Sequence, residues 1–222
     1  KKNSFSIITV SYNQNDFIVD NIESILRQNM DDVEHIIIDA GSTDGTIKSL
    51  KRYKHLNWTS EPDRGQSHGL NKGFKKATGD IIGWINSDDM LCDNALENVN
   101  LFFNENPKAI AVVGNYVIID DNNKKIKTVT SREYNYDWIL NKAIAIAQPS
   151  TFFRKEVFDK AGFIDESYHY AMDREFFLRI TKVDKIHYLN KELAYFRMQA
   201  NSKTSQGVYN FAKELIKMRL KY

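Results

Sequence analysis

Four short apolar runs in the first half of the chain each end in a polar loop and lead into a helical pattern. This alternation constrains the fold more than any other feature. The runs SIITV (Ser6 to Val10), HIIID (His35 to Asp39), LNWTS (Leu56 to Ser60) and DIIGWI (Asp80 to Ile85) read as strands. The first two are nearly continuous in β-branched residues, as parallel strands covered on both faces should be. Between the runs lie FIVDNIESILRQ, TIKSLKRY and SHGLNKGFKKA, with apolar residues at helical spacing. Repeated strand and helix predict an α/β fold, a mainly parallel mixed sheet flanked by helices and joined by right-handed crossovers. Farther on, a helix is expected near Asn94 to Asn104, a strand in IAVVGNYVII, a polar turn over Asp120 to Lys125, and less regular strands in NKAIAIAQPSTFF, KIHYL and LAYFR.

An open parallel sheet binds ligands at the carboxyl ends of its strands. The residues that follow the four strands are SYNQ, DAGSTDGT, EPDRGQS and NSDD, all polar, and three of the loops carry carboxylates. In any single loop Asp, Ser, Asn and Gly are ordinary turn and cap residues. Four such loops on one rim point to a ligand site. The loops contain neither a P-loop ending nor a G-x-G-x-x-G, so a phosphate here needs another partner. A hard divalent cation held by carboxylate oxygen would serve, and it would also make the adjacent acids of IGWINSDDML (Ile82 to Leu91) compatible.

Composition removes other classes. With 222 residues, 42% of them hydrophobic, the chain has enough apolar content for one substantial core. A net charge of +2 gives no electrostatic case for nucleic acid. The single cysteine, Cys92, excludes an internal disulfide and a cysteine zinc cluster, and fits a reducing, cytoplasmic setting. No apolar run approaches the roughly 20 residues of a membrane span, and the opening KKNSF does not read as a signal peptide.

The segments TVSYNQ, IIIDAGSTDGT, EPDRGQSHGLNKGFKKATGDIIGWINSDD, QPSTFFRKEVF, YAMDREFFLRI and FRMQANSKT occur in an order and spacing that resembles family 2 glycosyltransferases of the GT-A fold. The resemblance runs from Ser6 to about Thr204. It implies a single GT-A domain over 1–205, with a nucleotide-binding half (1–90) followed by an acceptor half (91–205). It also implies an inverting transfer of sugar from a nucleotide-sugar, on balance a UDP-sugar, to a hydroxyl of a glycan or lipid-linked acceptor in bacterial surface polysaccharide synthesis. The family's Asp-x-Asp element falls on Asn86, Ser87 and Asp88. Asp88 then resembles the ligand of Mn2+ or Mg2+, Asn86 and Ser87 nucleotide contacts, and Asp89 either a donor-sugar contact or a residue that supports the metal ligand from behind. Asp39 and Asp63 resemble residues around the base; Thr9, Ser11 and Tyr12 would line the same pocket, and Arg64 would reach base or phosphate. Met172 and Asp173 fall on the family's acidic pair, so Asp173 resembles the general base. Gln148 and Met172 would border donor or acceptor. Arg197, with Ser202 and Thr204, matches an Arg-x-His-x-x-Ser pattern in which Gln199 replaces the histidine, a poorer metal ligand.

Each assignment has a plainer counterpart. Asp88, Asp89 or Asp93 could cap the helix near Asn94, Asp173 could be an acid favoured by a helix dipole, and Gly69 and Gly73 are best explained by close packing of their helix on the sheet. Trp84, Trp138, Tyr168 and Tyr170 suit sugar rings but equally suit a core. The Asn86 and Gln199 departures leave open a catalytically inactive sugar- or nucleotide-binding relative. The tail over 206–222 carries Val208, Phe211, Leu215 and Met218 among basic residues and reads as an amphipathic helix. It would pack on the domain or on a second subunit, or touch an anionic membrane face peripherally.

Overall fold

A computed structural model describes residues 2–142, 146–199 and 207–222. The strand β1 (Phe5–Ser11) lies in the middle of a parallel group, paired with β2 (Val33–Asp39) on one side and β4 (Ile81–Trp84) on the other. The edge of this group is β3 (Asn57–Ser60), parallel to β2. Three helices make the crossovers: α1 (Ile18–Leu26), α2 (Thr46–Leu50) and α3 (Gln66–Lys76). The chain steps from β1 outward to β2 and β3, then returns across β1 to place β4. That reversal makes the carboxyl end of β1 a topological switch point, where flanking loops part and leave a crevice.

The alternation of side chains along the strands divides the core. Ile8, Ile36, Ile38 and Ile82 face Leu70 and Phe74 of α3, whereas Ile7 and Ile81 face Ile25 of α1 and Leu96, Val99 and Phe103 of α4 (Ala95–Glu105). The helix α3 comes close to the sheet because Gly73 has no side chain: a Cβ there would lie 2.5 Å from Cγ2 of Ile8.

Beyond β4 the sheet changes direction. β8 (Thr151–Arg154) is antiparallel both to β4 and to β6 (Ala111–Ile119), and β6 runs parallel to β9 (His187–Arg197). The short β5 (Met90–Leu91) pairs with β9, and β7 (Lys125–Val129) forms a hairpin with β6 through the expected polar turn. The strand expected in NKAIAIAQPSTFF is confined to β8, since Gln148–Ser150 form a 3-10 turn; residues 143–145 lie outside the described residues. The helices α5 (Tyr136–Asn141), α6 (Val157–Ala161) and α7 (Met172–Ile180) cover this half, and Phe74 joins them through ring contacts with Phe153, Phe158 and Phe176 at 5.0–6.3 Å. The C-terminal helix (Val208–Lys221) packs on the same core through buried Leu215 and Met218. Val208, expected on the packed face, is exposed at 69% because it starts the helix before the chain reaches the core.

Candidate functional site

Register alone brings the strand ends together. Ser11, the last residue of β1, stands beside Asp39, the last of β2, and Asp39 stands beside Ser60 of β3. Asp39 is fully enclosed. Its Oδ2 accepts from Gly41 N (3.0 Å), Ser42 N (2.9 Å) and Ser60 Oγ (2.6 Å), and Oδ1 accepts from Ser42 Oγ (2.5 Å). The turn needs Gly41, whose φ is +84°. The β1 and β2 loops are then laced to each other: Asn13 N donates to Ser42 Oγ, Thr43 N to Asn13 Oδ1, and Asn15 N to Asp44 Oδ2. Burial works against the Asp44 charge, but bonds from Thr46 and Asn15 outweigh it and lower its pKa. Tyr12 projects from this rim at 61% exposure, while the buried Ser11 Oγ has no protein partner. Thr9 turns the other way, into the interior, with its hydroxyl 3.0 Å from His35 Nε2 and 3.4 Å from Asn21 Oδ1. On the β3 side, Asp63 Oδ1 accepts from Gly65 N at the start of α3. Arg64 lies on the surface and pairs with Glu166 at 2.8 Å.

After β4 comes the segment Asn86 to Asp89, and its first residue is a hydrogen-bond hub. Asn86 Oδ1 accepts from Trp84 Nε1 (3.0 Å) and Gln66 Nε2 (3.1 Å); its Nδ2 donates to Gln148 Oε1 (3.1 Å) and Asp89 Oδ2 (3.3 Å). Gln148 in turn donates to the Trp84 carbonyl at 2.5 Å. An amide satisfies two donors and two acceptors at once, which a carboxylate cannot do. Asparagine at this position therefore fits the geometry, quite apart from any metal.

The two neighbouring acids differ. Asp89 is buried at 1%, and its Oδ1 accepts from the main-chain N of Arg197 at 3.0 Å. Burial and the Asp88 charge push its pKa well above the usual carboxylate range. Asp88 is partly buried and accepts from Gln199 Nε2 at 2.9 Å; burial raises its pKa against the opposing pull of Arg197. The side chain of Arg197 is enclosed. Its guanidinium donates to the carbonyls of Asp88 (3.0 Å), Asp120 (3.1 Å) and Asp121 (3.2 Å) and to Asp20 Oδ2 (3.3 Å), and it lies over the Phe17 ring. From this position it holds the loop and supplies positive charge close to Asp88.

The donor set fits a hard cation only as an incomplete shell. Asp88 offers a carboxylate made costly by burial, Asp89 and Asn86 are engaged in the protein, and the amide nitrogen of Gln199 faces Asp88. Oxygen from a bound diphosphate and from water would have to complete six-coordination. Among the described residues no group of three His, Cys, Asp or Glu side chains gathers to bind an ion.

Three residues that sequence reasoning missed support this loop from α1 and the turn that follows it. Asn21 Nδ2 donates to the carbonyls of Asn86 and Asp89, both at 2.9 Å; Ser24 Oγ accepts from Leu91 N; Gln28 bridges Cys92 O and Leu96 N. All three are buried polar residues, three and four positions apart; Asn21 and Ser24 lie on α1 and Gln28 extends the stripe into the turn after it. That stripe was visible in the sequence.

The opposite wall is the start of α7. Ser67 Oγ, in the first turn of α3, lies 2.9 Å from both Met172 Sδ and the Tyr168 carbonyl, while Gln66 beside it reaches Asn86. The N-terminus of α3 thus links the Asn86 loop to the N-terminus of α7, where Asp173 occupies the first turn, partly buried. Two aromatics proposed for sugar rings belong to the core instead: Trp84 is 2% exposed and Tyr168 is fully buried. Trp138 packs against Tyr134, with ring centroids 4.8 Å apart and the planes tilted by 34°. Ser202, Lys203 and Thr204 lie outside the described residues.

With this geometry in place, comparison with known proteins decides the family. The glycosyl transferase family 2 profile matches residues 6–162, well over half of the chain. The chain belongs to glycosyl transferase family 2. It is 27% identical over 217 residues to an uncharacterized glycosyltransferase of Rickettsia bellii, covering 95% of this chain and 31% of that protein. It is 28% identical over 225 residues to the minor teichoic acid biosynthesis protein GgaA of Bacillus subtilis, covering 93% of this chain and 50% of that one. In fold it is similar to S. aureus TarS 1-349 solved in complex with UDP-GlcNAc, with a TM-score of 0.77 and 18% identity over 97% of this chain and 66% of that chain. The family 2 chain therefore has the GT-A architecture expected of it, and it spans only a third to two thirds of the length of these relatives. No described helix is long and apolar enough to cross a membrane.

Proposed function

We propose that this family 2 chain is an inverting, metal-dependent glycosyltransferase. It moves a hexosyl or N-acetylhexosaminyl group from a UDP-sugar to a hydroxyl of a glycan or lipid-linked acceptor during bacterial surface polysaccharide synthesis. The observation that carries the reading is the Asp88–Asp89 pair: a partly buried acid with raised pKa, held by Gln199, Arg197 and the α1 stripe at the switch-point rim. The relatives named above support the substrate class, one by its part in teichoic acid synthesis and one by the UDP-GlcNAc it was solved with.

In this reading the uridine lies on the rim formed by Ser11, Tyr12, Asp39 and Asp63. Tyr12 offers an exposed ring face for the base, and the buried Ser11 hydroxyl is available to a polar edge. Asp88 would hold Mn2+ or Mg2+ together with the diphosphate; when bound, the ion supplies positive charge that stabilises the leaving group. Asp173 accepts the proton of the acceptor hydroxyl as the oxygen bonds to the anomeric carbon and the bond to the diphosphate oxygen breaks on the opposite side. One carboxylate suffices for such a displacement, and the anomeric configuration inverts. Gln148 and Met172 border the sugar. The outward apolar residues Tyr209, Ile216 and Leu220 of the C-terminal helix, set among lysines, support work at the inner membrane face.

Donor hydrolysis across UDP-, GDP- and dTDP-sugars with Mn2+ or Mg2+ tests the proposal, with the anomer of the released sugar read by NMR. The expected result is metal-dependent turnover of a UDP-sugar with inversion. Turnover of none of them, together with retained UDP binding, would favour a non-catalytic nucleotide-binding relative.

A further inference from the structure

We propose that Glu214, on the C-terminal helix, is a positioning residue for Asp173. The helix α7 lacks a cap of its own, because the residue before it is Ala171, whose side chain accepts nothing. The main-chain N–H groups of the three residues that lead into α7 find their partner 43–45 residues downstream. Glu214 Oε1 accepts from His169 N at 2.9 Å, and Oε2 accepts from Tyr170 N and Ala171 N, both at 2.8 Å. One carboxylate thus collects three consecutive N–H groups at the positive end of the α7 dipole. Asp173 follows two residues later.

The rest of the C-terminal helix grips the same segment. Lys217 Nζ donates to Ser167 O and Oγ and lies over the Tyr168 ring; Lys221 reaches Asp165 at 3.0 Å; the Tyr222 hydroxyl donates to Glu175 of α7 at 2.5 Å. Buried Leu215 and Met218 anchor the helix that makes these contacts. The stretch 165–175 is therefore fixed from outside, and Glu214 sets the point where α7 begins. Catalysis is sensitive to such placement: a shift of about 1 Å in a reacting group can cost about 100-fold in rate.

This inference rests on the assignment of Asp173 as base, so Asp173→Asn is measured alongside. Glu214→Gln keeps the volume but turns one acceptor into a donor facing an N–H group, and Glu214→Ala removes both acceptors. Three readouts apply: kcat for hydrolysis of UDP-GlcNAc, or of the donor that turns over fastest, Kd for UDP, and amide hydrogen exchange. The expected result is a kcat lowered about 10- to 100-fold, a UDP Kd within about twofold of wild type, faster exchange at 169–171 and in the first turn of α7, and partial recovery in Glu214→Asp. A kcat within about twofold of wild type, or unchanged exchange at 169–171, overturns the proposal. So does an equal loss of UDP affinity, which would mark a general structural role. If Asp173→Asn turns over like wild type, the base assignment fails whatever Glu214 does; if it is inert while Glu214→Ala is fully active, only the positioning role fails.

Discussion

The strand-end rim around Asp39 and the opposite wall that carries Asp173 are built in opposite ways. Asp39 is held by its own loop and the neighbouring strand end, through Gly41, Ser42 and Ser60. Asp173 sits on a helix whose start is held by Glu214, from the far end of the chain. The rim needs only the parallel strands to bring its parts together, because in-register strand ends deliver Ser11, Asp39 and Ser60 side by side. The wall has no such register. Its position is set by side chains that reach main-chain groups across long sequence separations, so it can be perturbed without disturbing the rim.

The sharpest break between the two regions is Asp173→Asn. Turnover should fall about 100-fold or more while UDP affinity stays within about twofold, since general-base catalysis contributes on that scale. Steady-state kinetics and calorimetry read both quantities, and unchanged turnover would refute the base assignment.

Asn86→Asp should damage the rim's support. It removes the donors to Asp89 and Gln148 and sets a third carboxylate among two whose pKa values are already raised. A loss of about 2–4 kcal/mol in urea unfolding at pH 7 is expected, easing as pH falls and the carboxylates protonate. A stability equal to wild type would mean that the amide hub is dispensable.

Gly73→Ala tests the contact between α3 and the sheet. Its new Cβ would lie 2.5 Å from Ile8 Cγ2 in the core, so unfolding should become easier by about 1–3 kcal/mol. Because α3 touches both Asn86 and Met172, both regions should suffer together.

The smallest effect belongs to the wall. Burial works against the Asp165 charge, but bonds from Ser167 and Lys221 prevail and bring its pKa from 3.8 to about 2. A carboxyl group lowered in the folded state contributes stability that is complete above its unfolded value and is lost as pH falls from about 4 to about 2. Asp165→Asn should therefore cost under about 1 kcal/mol at pH 7, because the Lys221 pair is partly exposed, and should flatten the pH dependence of unfolding in that window. An identical pH dependence in the variant would remove Asp165 from the account of how the C-terminal helix holds the wall.

How much of this could be read in advance follows the same division. The β-branched runs gave β1 and β2, and the polar residues after each strand gave the rim, because parallel-strand physics leaves a local mark. The packing of Gly69 and Gly73 was legible from their spacing. Asn86 was harder: an Asn-Ser-Asp-Asp run looks outward in sequence, and only the structure shows its amide turned to Trp84, Gln66, Gln148 and Asp89. Asn21, Ser24 and Gln28 were readable as a polar stripe, three and four positions apart along α1 and the turn after it. Arg197 entered only through the family pattern and Glu214 did not enter at all, since most of their partners are main-chain atoms, and a carbonyl or N–H group 40 to 110 residues away leaves no trace in the side-chain pattern. Tyr168 and Trp84 misled for a related reason: a ring suited to stacking on sugar has the same composition as a ring suited to the core.

Calorimetry of UDP binding with and without Mn2+, on wild type and Asp88→Asn, tests the central claim most directly. Asp88 acting with a diphosphate-bound cation predicts that Mn2+ tightens UDP by about tenfold or more in wild type, roughly 1.4 kcal/mol, and that this gain disappears in Asp88→Asn but survives in Asp173→Asn. The same UDP affinity with and without Mn2+ in wild type, or a metal effect untouched by Asp88→Asn, would contradict it.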